Sequence, residues 1–287
     1  MNLKVTAIQS ELHWENVDEN LRMFSEKIAA ISETTDVIVL PEMFNTGFSM
    51  LSKKLAETMD GKTVAWMKDI AQKTNAVIVG SLIVEDVPLM GGVRDAFYNR
   101  LIWAQPDGVI YTYDKRHLFR MANEHEHFKA GNKRLIIEYK GWKICPLVCY
   151  DLRFPVWSRN TELLVDSDEL AGSTKPTTNN QQQTSNAYDL LIYIANWPGA
   201  RKAPWSKLLE ARAIENQCYV VGVNRVGEDG KGFAYTGNSA IINSKGEPIS
   251  NIPENENCTE TVSLSLDDLN SFRKAFPVGM DADGFTL

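Results

Sequence analysis

The chain has 287 residues, 44% of them apolar, enough to bury a sizeable core in one large domain or two small ones. Its net charge of -7 leaves no basic stripe for neutralising phosphates, which argues against a nucleic-acid partner. No CxxC pair, no apolar signal-like start and no run long enough to span a membrane are present, so the expectation is a reduced, cytoplasmic protein with no membrane partner.

Leu3, Val5 and Ala7 alternate as a strand, and residues 16–32 carry Val17, Leu21, Phe24, Ile28 and Ile31 at helical spacing. Residues 36–40 form a short buried strand running into Pro41 and Glu42. A second helical stripe (Val64, Met67, Ile70, Ala71) marks 62–74, and 76–84 is again a strand. Strands at 97–104 and 109–113 flank the turn Gln105-Pro106-Asp107-Gly108, and strands at 135–139 and 142–148 flank Lys140-Gly141. Residues 189–195 make a strongly buried strand, 204–217 a helix with Pro204 near its start, and 218–224 and 238–243 two more strands. A strand near 260–266 and a short helix close the chain. Repeated βα units joined with antiparallel hairpins indicate an α/β layered fold with mixed sheets. Residues 161–187, rich in Ser, Thr, Asn and Gln, offer almost nothing to bury in their centre. They read as a polar loop inserted into a single domain spanning 1–287, not as a domain boundary.

Three polar residues sit alike at the exits of apolar runs: Glu42 after 37–41, Lys115 after 109–114 and Cys149 after 144–148. If those exits share one edge, they supply a base, a cation for an oxyanion and a sulfur nucleophile, the set needed to attack a carbonyl. A strand-to-helix elbow at Cys149 would expose the sulfur and aim backbone N–H groups at a substrate oxygen. The plainer alternative, a buried cysteine packing as a small hydrophobe, suits Cys145 and Cys218 better. Glu42, flanked by apolar residues, is poorly solvated and suited to accept a thiol proton; the alternative is an ordinary surface carboxylate. Lys115 would hold the oxyanion; the alternative is one more solvated lysine. Glu124 lies in Asn123-Glu124-His125-Glu126-His127, whose alternating histidines invite a metal. A catalytic zinc wants three protein ligands, and no further cluster pairs with these two, so no metal is expected. A carboxylate supporting the lysine is the better reading of Glu124.

Five segments together resemble the nitrilase superfamily, the carbon–nitrogen hydrolases: 40–44 (LPEMF), 113–119 (YDKRHLF), 149–155 (CYDLRFP), 195–198 (ANWP) and 211–217 (ARAIENQ). They occur in the family's order and at family-like spacing. The resemblance implies a four-layer α-β-β-α sandwich with two mixed β-sheets, and a homodimer joined through the helix at 204–217 and the C-terminal tail. It implies the catalytic set Glu42, Lys115 and Cys149 with Glu124 as the second carboxylate, although Glu126 lies two residues away. It further implies amide hydrolysis through a cysteine thioester, an oxyanion held by Lys115 and the Tyr150 N–H, and no cofactor. Segments 121–128 and 196–201 look most like the bacterial omega-amidase branch, which cleaves the terminal amide of 2-oxoglutaramate and 2-oxosuccinamate. Such small-molecule substrates carry a carboxylate, for which Arg153 and Arg201 are candidates, with Arg153 also a possible partner for Asp151. Phe44, Phe119, Trp197 and Trp205 are candidate pocket walls. The competing readings are an N-carbamoyl-amino-acid hydrolase or nitrilase of the same family, and a non-catalytic binding protein of the same fold.

Overall fold

The computed structural model describes residues 1–86, 96–161 and 186–283; most of the expected inserted loop at 161–187 therefore lies outside the described residues. β1 (Asn2–Gln9), α1 (Val17–Ala29), β2 (Val37–Val39), α2 (Ser52–Leu55), α3 (Lys62–Thr74) and β3 (Val77–Asp86) come first. β4 (Ala96–Ala104), β5 (Ile110–Asp114), the single-turn α4 (Glu124–His127), β6 (Ile137–Tyr139) and β7 (Trp142–Val148) follow, and a 3-10 turn (Cys149–Arg153) ends β7. β8 (Leu190–Ala195), α5 (Lys202–Asn216), β9 (Tyr219–Asn224), β10 (Val226–Glu228), β11 (Ala234–Thr236), β12 (Ala240–Ile242), β13 (Cys258–Ser265) and α6 (Leu266–Ala275) complete the described elements.

Six strands form one mixed sheet in the order β13-β1-β2-β3-β4-β5, and five form a second, β12-β9-β8-β7-β6. Each sheet is built around three adjacent parallel strands, β1-β2-β3 in the first and β7-β8-β9 in the second, with antiparallel neighbours outside them. Together with the helices, the two sheets make an α-β-β-α sandwich.

The layering follows from strands that are apolar on both faces. Val37, Val39, Val77 and Val79 belong to the core between the sheets, while Ile38 and Ile78 belong to the core beneath α1 and α3. Each such side chain removed from water stabilises the fold by about 1.5–3 kcal/mol. On α1 the buried face is Leu21, Phe24 and Ile28. Asn16 caps its start by accepting from the Glu19 N–H at 3.2 Å, a contact worth about 1 kcal/mol. The turn between β6 and β7 is left-handed at both Lys140 (φ 48°) and Gly141 (φ 76°), the geometry that joins two strands directly.

Parallel strands bring their carboxyl ends to one edge, and open α/β sheets place ligand sites there. Glu42 lies three residues beyond β2, Lys115 directly follows β5, Cys149 directly follows β7 and Asn196 directly follows β8. The first two belong to one sheet and the last two to the other, so the site forms where the sheets face each other.

Candidate active site

Cys149 begins the 3-10 turn with φ 45°, a left-handed conformation that costs a non-glycine residue about 1–3 kcal/mol and persists only where its surroundings impose it. The expected elbow is present, as a 3-10 turn in place of an α-helix. Cys149 is 8% exposed, at the floor of a cleft of about 300 Å³. Burial, and then the negative charge of Glu42, push its thiol well above the ordinary value, with Lys115 opposing them. The resting sulfur is therefore a thiol that needs a partner to remove its proton.

Glu42, Lys115 and Glu124 form one cluster, each at most 1% exposed. The Lys115 ammonium donates to Glu42 Oε1 at 2.8 Å and to both oxygens of Glu124 at 3.0 Å. Burial alone would lower the ammonium, but Glu124, Glu42 and Cys149 outweigh it and hold Lys115 above its ordinary value. Burial raises Glu124, against the pull of Lys115. The Phe119 N–H donates to Glu124 Oε2 at 2.5 Å, whereas Glu126 is exposed. The geometry thus separates the two glutamates: only Glu124 reaches the lysine.

Two asparagines brace the cluster, and neither stood out in the sequence as a site residue. Asn99, in the middle of β4, donates to Glu42 Oε1 at 2.8 Å and Glu124 Oε1 at 3.3 Å, and its carbonyl accepts the Lys115 N–H at 3.0 Å. Asn196 donates its backbone N–H to Glu42 Oε2 at 2.8 Å and its side-chain amide to the Glu42 carbonyl. It thereby ties the end of β8, in the second sheet, to Glu42 beyond β2 in the first. The one available signal for Asn99 was a polar residue, beside Arg100, inside the largely apolar strand 97–104.

Phe48, Phe119, Tyr150 and Trp197 wall the cleft, with Met121 at its rim. The Lys115 ammonium lies 5.1 Å from the Phe48 ring centroid. Arg153 lies over Trp197 at 5.0 Å and Arg201 over Phe119 at 5.3 Å, and both line the cleft. Neither makes an ion pair among the described residues. The alternative pairing of Arg153 with Asp151 is not observed, because Asp151 is occupied by Tyr113, His117 and Val148.

Two expected walls are corrected. Phe44 is fully buried on the far side of the first sheet, 5.5 Å from Phe24 and 5.6 Å from Trp66. In an extended strand it would share a face with Glu42, but Met43 between them is left-handed (φ 42°) and breaks the alternation. Trp205 is also fully buried, 5.5 Å behind Trp197, and its indole N–H is held by the Asn238 carbonyl at 2.8 Å.

A third wall was missed altogether. The β10–β11 hairpin contributes Asp229, Lys231, Phe233 and Tyr235 to the cleft. Asp229 is spent inside the hairpin, accepting from the Lys231 and Phe233 N–H groups at 2.8 and 3.0 Å and from the Tyr235 hydroxyl at 2.9 Å. The turn-forming run Asp229-Gly230-Lys231-Gly232 was the signal for it. His125 and His127 are both exposed on α4. Among the described residues no three His, Cys, Asp or Glu side chains gather as a metal site. Nor is any helix among them long and apolar enough to cross a membrane.

Comparison with known proteins agrees with this geometry. The family model described as carbon-nitrogen hydrolase matches residues 4–274. Omega-amidase YafV of Escherichia coli (strain K12) is 44% identical over 285 residues, covering 99% of this chain and 98% of that protein. The 2-oxoglutaramate amidase of Bacillus subtilis (strain 168) is 28% identical, covering 97% of this chain and 96% of that protein. The crystal structure of XC1258 from Xanthomonas campestris, a CN-hydrolase superfamily protein with an arsenic adduct in its active site, superposes with a TM-score of 0.87 at 39% identity, covering 100% of this chain and 99% of that one.

Proposed function

The chain belongs to the carbon–nitrogen hydrolase family, and from that premise we propose that Cys149, Glu42 and Lys115 carry its reaction, with Glu124 in support. It is an amide-hydrolysing enzyme, an amidohydrolase of the omega-amidase type acting on 2-oxoglutaramate-type substrates. The observation that carries the assignment of roles is the buried, hydrogen-bonded Glu42–Lys115–Glu124 cluster whose lysine lines the same cleft as Cys149.

Glu42 takes the Sγ proton as the sulfur attacks the amide carbon. Lys115 has three N–H donors; one meets Glu42, a second is shared between the two oxygens of Glu124, and the third, with the Tyr150 N–H, meets the oxyanion. Collapse breaks the C–N bond while Glu42 returns the proton to the leaving nitrogen, so ammonia departs and the acyl group stays on Cys149 as a thioester. Water then attacks the thioester carbon, Glu42 accepting its proton. The acid leaves and the proton returns to the sulfur. Arg153 and Arg201 receive the substrate carboxylate, with Phe119 and Trp197 placed beneath them. Glu124 keeps Lys115 aimed.

The same reading takes 2-oxosuccinamate as the shorter substrate and treats 1–287 as one catalytic domain, a homodimer in the cytoplasm, where the thiol stays reduced. The test is ammonia release from 2-oxoglutaramate beside glutamine, asparagine, an aliphatic nitrile and an N-carbamoyl amino acid, with Cys149→Ala as the blank. Preference for the oxo-acid amide is expected. Turnover of the nitrile or the carbamoyl substrate in its place would move the protein to another activity of the family with the same chemistry. Full activity in Cys149→Ala would end the thioester mechanism.

A further inference from the structure

Asp151 is fully buried, does not line the cleft, and takes no part in the proton transfers above, yet its carboxylate gathers donors from two separate segments. Its Oδ1 accepts the His117 backbone N–H at 2.9 Å and lies 2.8 Å from His117 Nδ1. Its Oδ2 accepts the Tyr113 hydroxyl at 2.8 Å and the Val148 N–H at 3.1 Å. Tyr113 and His117 stand two residues to either side of Lys115, and Val148 immediately precedes Cys149. The Tyr113 oxygen is fixed in turn by the Trp157 indole N–H at 3.0 Å and the Arg116 N–H at 3.2 Å.

Lys115 leaves β5 of the first sheet and Cys149 leaves β7 of the second. Strand ladders set distances within a sheet, but no ladder spans the gap between these two strands. The Asn196–Glu42 hydrogen bonds cross between other strands, and apolar packing sets the spacing of β5 and β7 only loosely, because it is not directional. Four directional hydrogen bonds accepted by one carboxylate set it closely, and they also hold the strained turn at Cys149 from inside.

We propose that Asp151 is a positioning residue that fixes Lys115 relative to Cys149 across the two sheets, acting through Tyr113 and His117 on one side and Val148 on the other. The inference rests on the roles assigned above to Lys115 and Cys149.

Asp151→Asn turns one acceptor oxygen into a donor, so the backbone N–H of either His117 or Val148 loses its acceptor. Turnover per titrated active site should fall about 10- to 100-fold with KM changed by less than about 2-fold, because the cleft lining is untouched. The rate at which iodoacetamide alkylates Cys149, read from the mass of its peptide, should change in parallel. A merely structural role would lower the melting temperature but leave both rates of the folded fraction intact, and that result overturns the proposal. Should Asp151→Asn fail to fold, Tyr113→Phe decides. It removes one of the four donors without a cavity and should lower turnover about 3-fold or more; wild-type turnover and alkylation in that variant overturn the proposal. Cys149→Ala separates the two levels: activity there defeats the reaction scheme itself, whereas an inactive Cys149→Ala beside a fully active Asp151→Asn defeats only the role of Asp151.

Discussion

Glu42, Asn99, Lys115 and Glu124 are at most 1% exposed, and each carboxylate or ammonium among them is held by two or more hydrogen bonds. A short distance away, the rim of the same cleft is built from Met121 at 79% exposure, Phe233 at 56%, and the cations Arg153, Arg201 and Lys231, which have no carboxylate partner among the described residues. The floor is held by hydrogen bonds that run from the middle of β4, the ends of β5 and β8, and α4. The rim hangs on turns and keeps its charges free for something that arrives. A bond-breaking step needs fixed distances, and a recognition step needs unspent donors. The difference between the two regions is therefore a division of labour, and it makes separate predictions for kcat and KM.

The sharpest break would come at the floor. Glu42→Gln removes the proposed proton acceptor and should lower kcat by about 100- to 10,000-fold with the fold retained. The same change removes a negative charge that pushes the Cys149 thiol up, so thiolate absorbance should appear at lower pH than in the wild type. Lower activity combined with an easier ionisation would separate base catalysis from mere thiolate supply. A thiol titration unmoved by the substitution would show that Glu42 does not face the sulfur.

Lys115→Ala should be felt in both activity and stability. In the proposed mechanism the oxyanion loses its cation, worth about 100-fold or more in kcat. Two buried carboxylates lose their counter-charge, which costs about 3–5 kcal/mol. Glu124 is already raised by burial, and losing Lys115 raises it further, so a proton there can replace the ammonium. A group with a raised folded-state pKa favours folding below its unfolded value, and that gain is lost as pH rises. The variant's deficit in melting temperature should therefore shrink on acidification and be largest from neutral pH upward. The wild type, whose Lys115 is itself raised, should keep this contribution until the pH passes about 10. A deficit independent of pH would mean that the carboxylates find other partners.

The two regions also differ in how far the sequence discloses them. Glu42, Lys115 and Cys149 each follow an apolar run, and strand ends of parallel sheets converge, so their meeting could be read from one-dimensional spacing. The strand and helix order followed from the same periodicity; the helix at 62–74 appears with those bounds. Phe44 was misplaced because one left-handed residue, Met43, reverses a face, and nothing in the local sequence announces it. Asn99 looks like an interruption in a strand until its carboxylate partners arrive from the segment after β2 and from α4, across large sequence separations. The hairpin carrying Lys231 and Phe233 is short, and its apolar residues are too few to show a period; only its Asp-Gly turn chemistry marked it. Dry sites are legible where burial forces a pattern, and rims are not, because exposure forces none.

At the rim, Arg153→Ala and Arg201→Ala each should raise KM for 2-oxoglutaramate by about 10-fold or more, the worth of one charge-assisted hydrogen bond. For a neutral aliphatic amide with no carboxylate, kcat/KM should stay within about 2-fold. Equal losses on both substrates would place the arginine in the wall and not in recognition, and unequal losses between the two variants would name the one that meets the carboxylate.

The smallest effect sharpens the boundary between the regions. Phe233→Ala removes an exposed ring from the hairpin tip, where little area is dry, so stability should change by less than about 0.5 kcal/mol and KM by about 2- to 5-fold. Phe44→Ala deletes a ring of the same kind from the packed layer under α1 and α3, at about 3–5 kcal/mol, without touching KM. The pair is chosen so that one aromatic moves only binding and the other only folding. If Phe44→Ala raised KM in a protein still fully folded, the helix layer would have to communicate with the cleft through Met43, and the separation of floor from rim would need a third, coupled region.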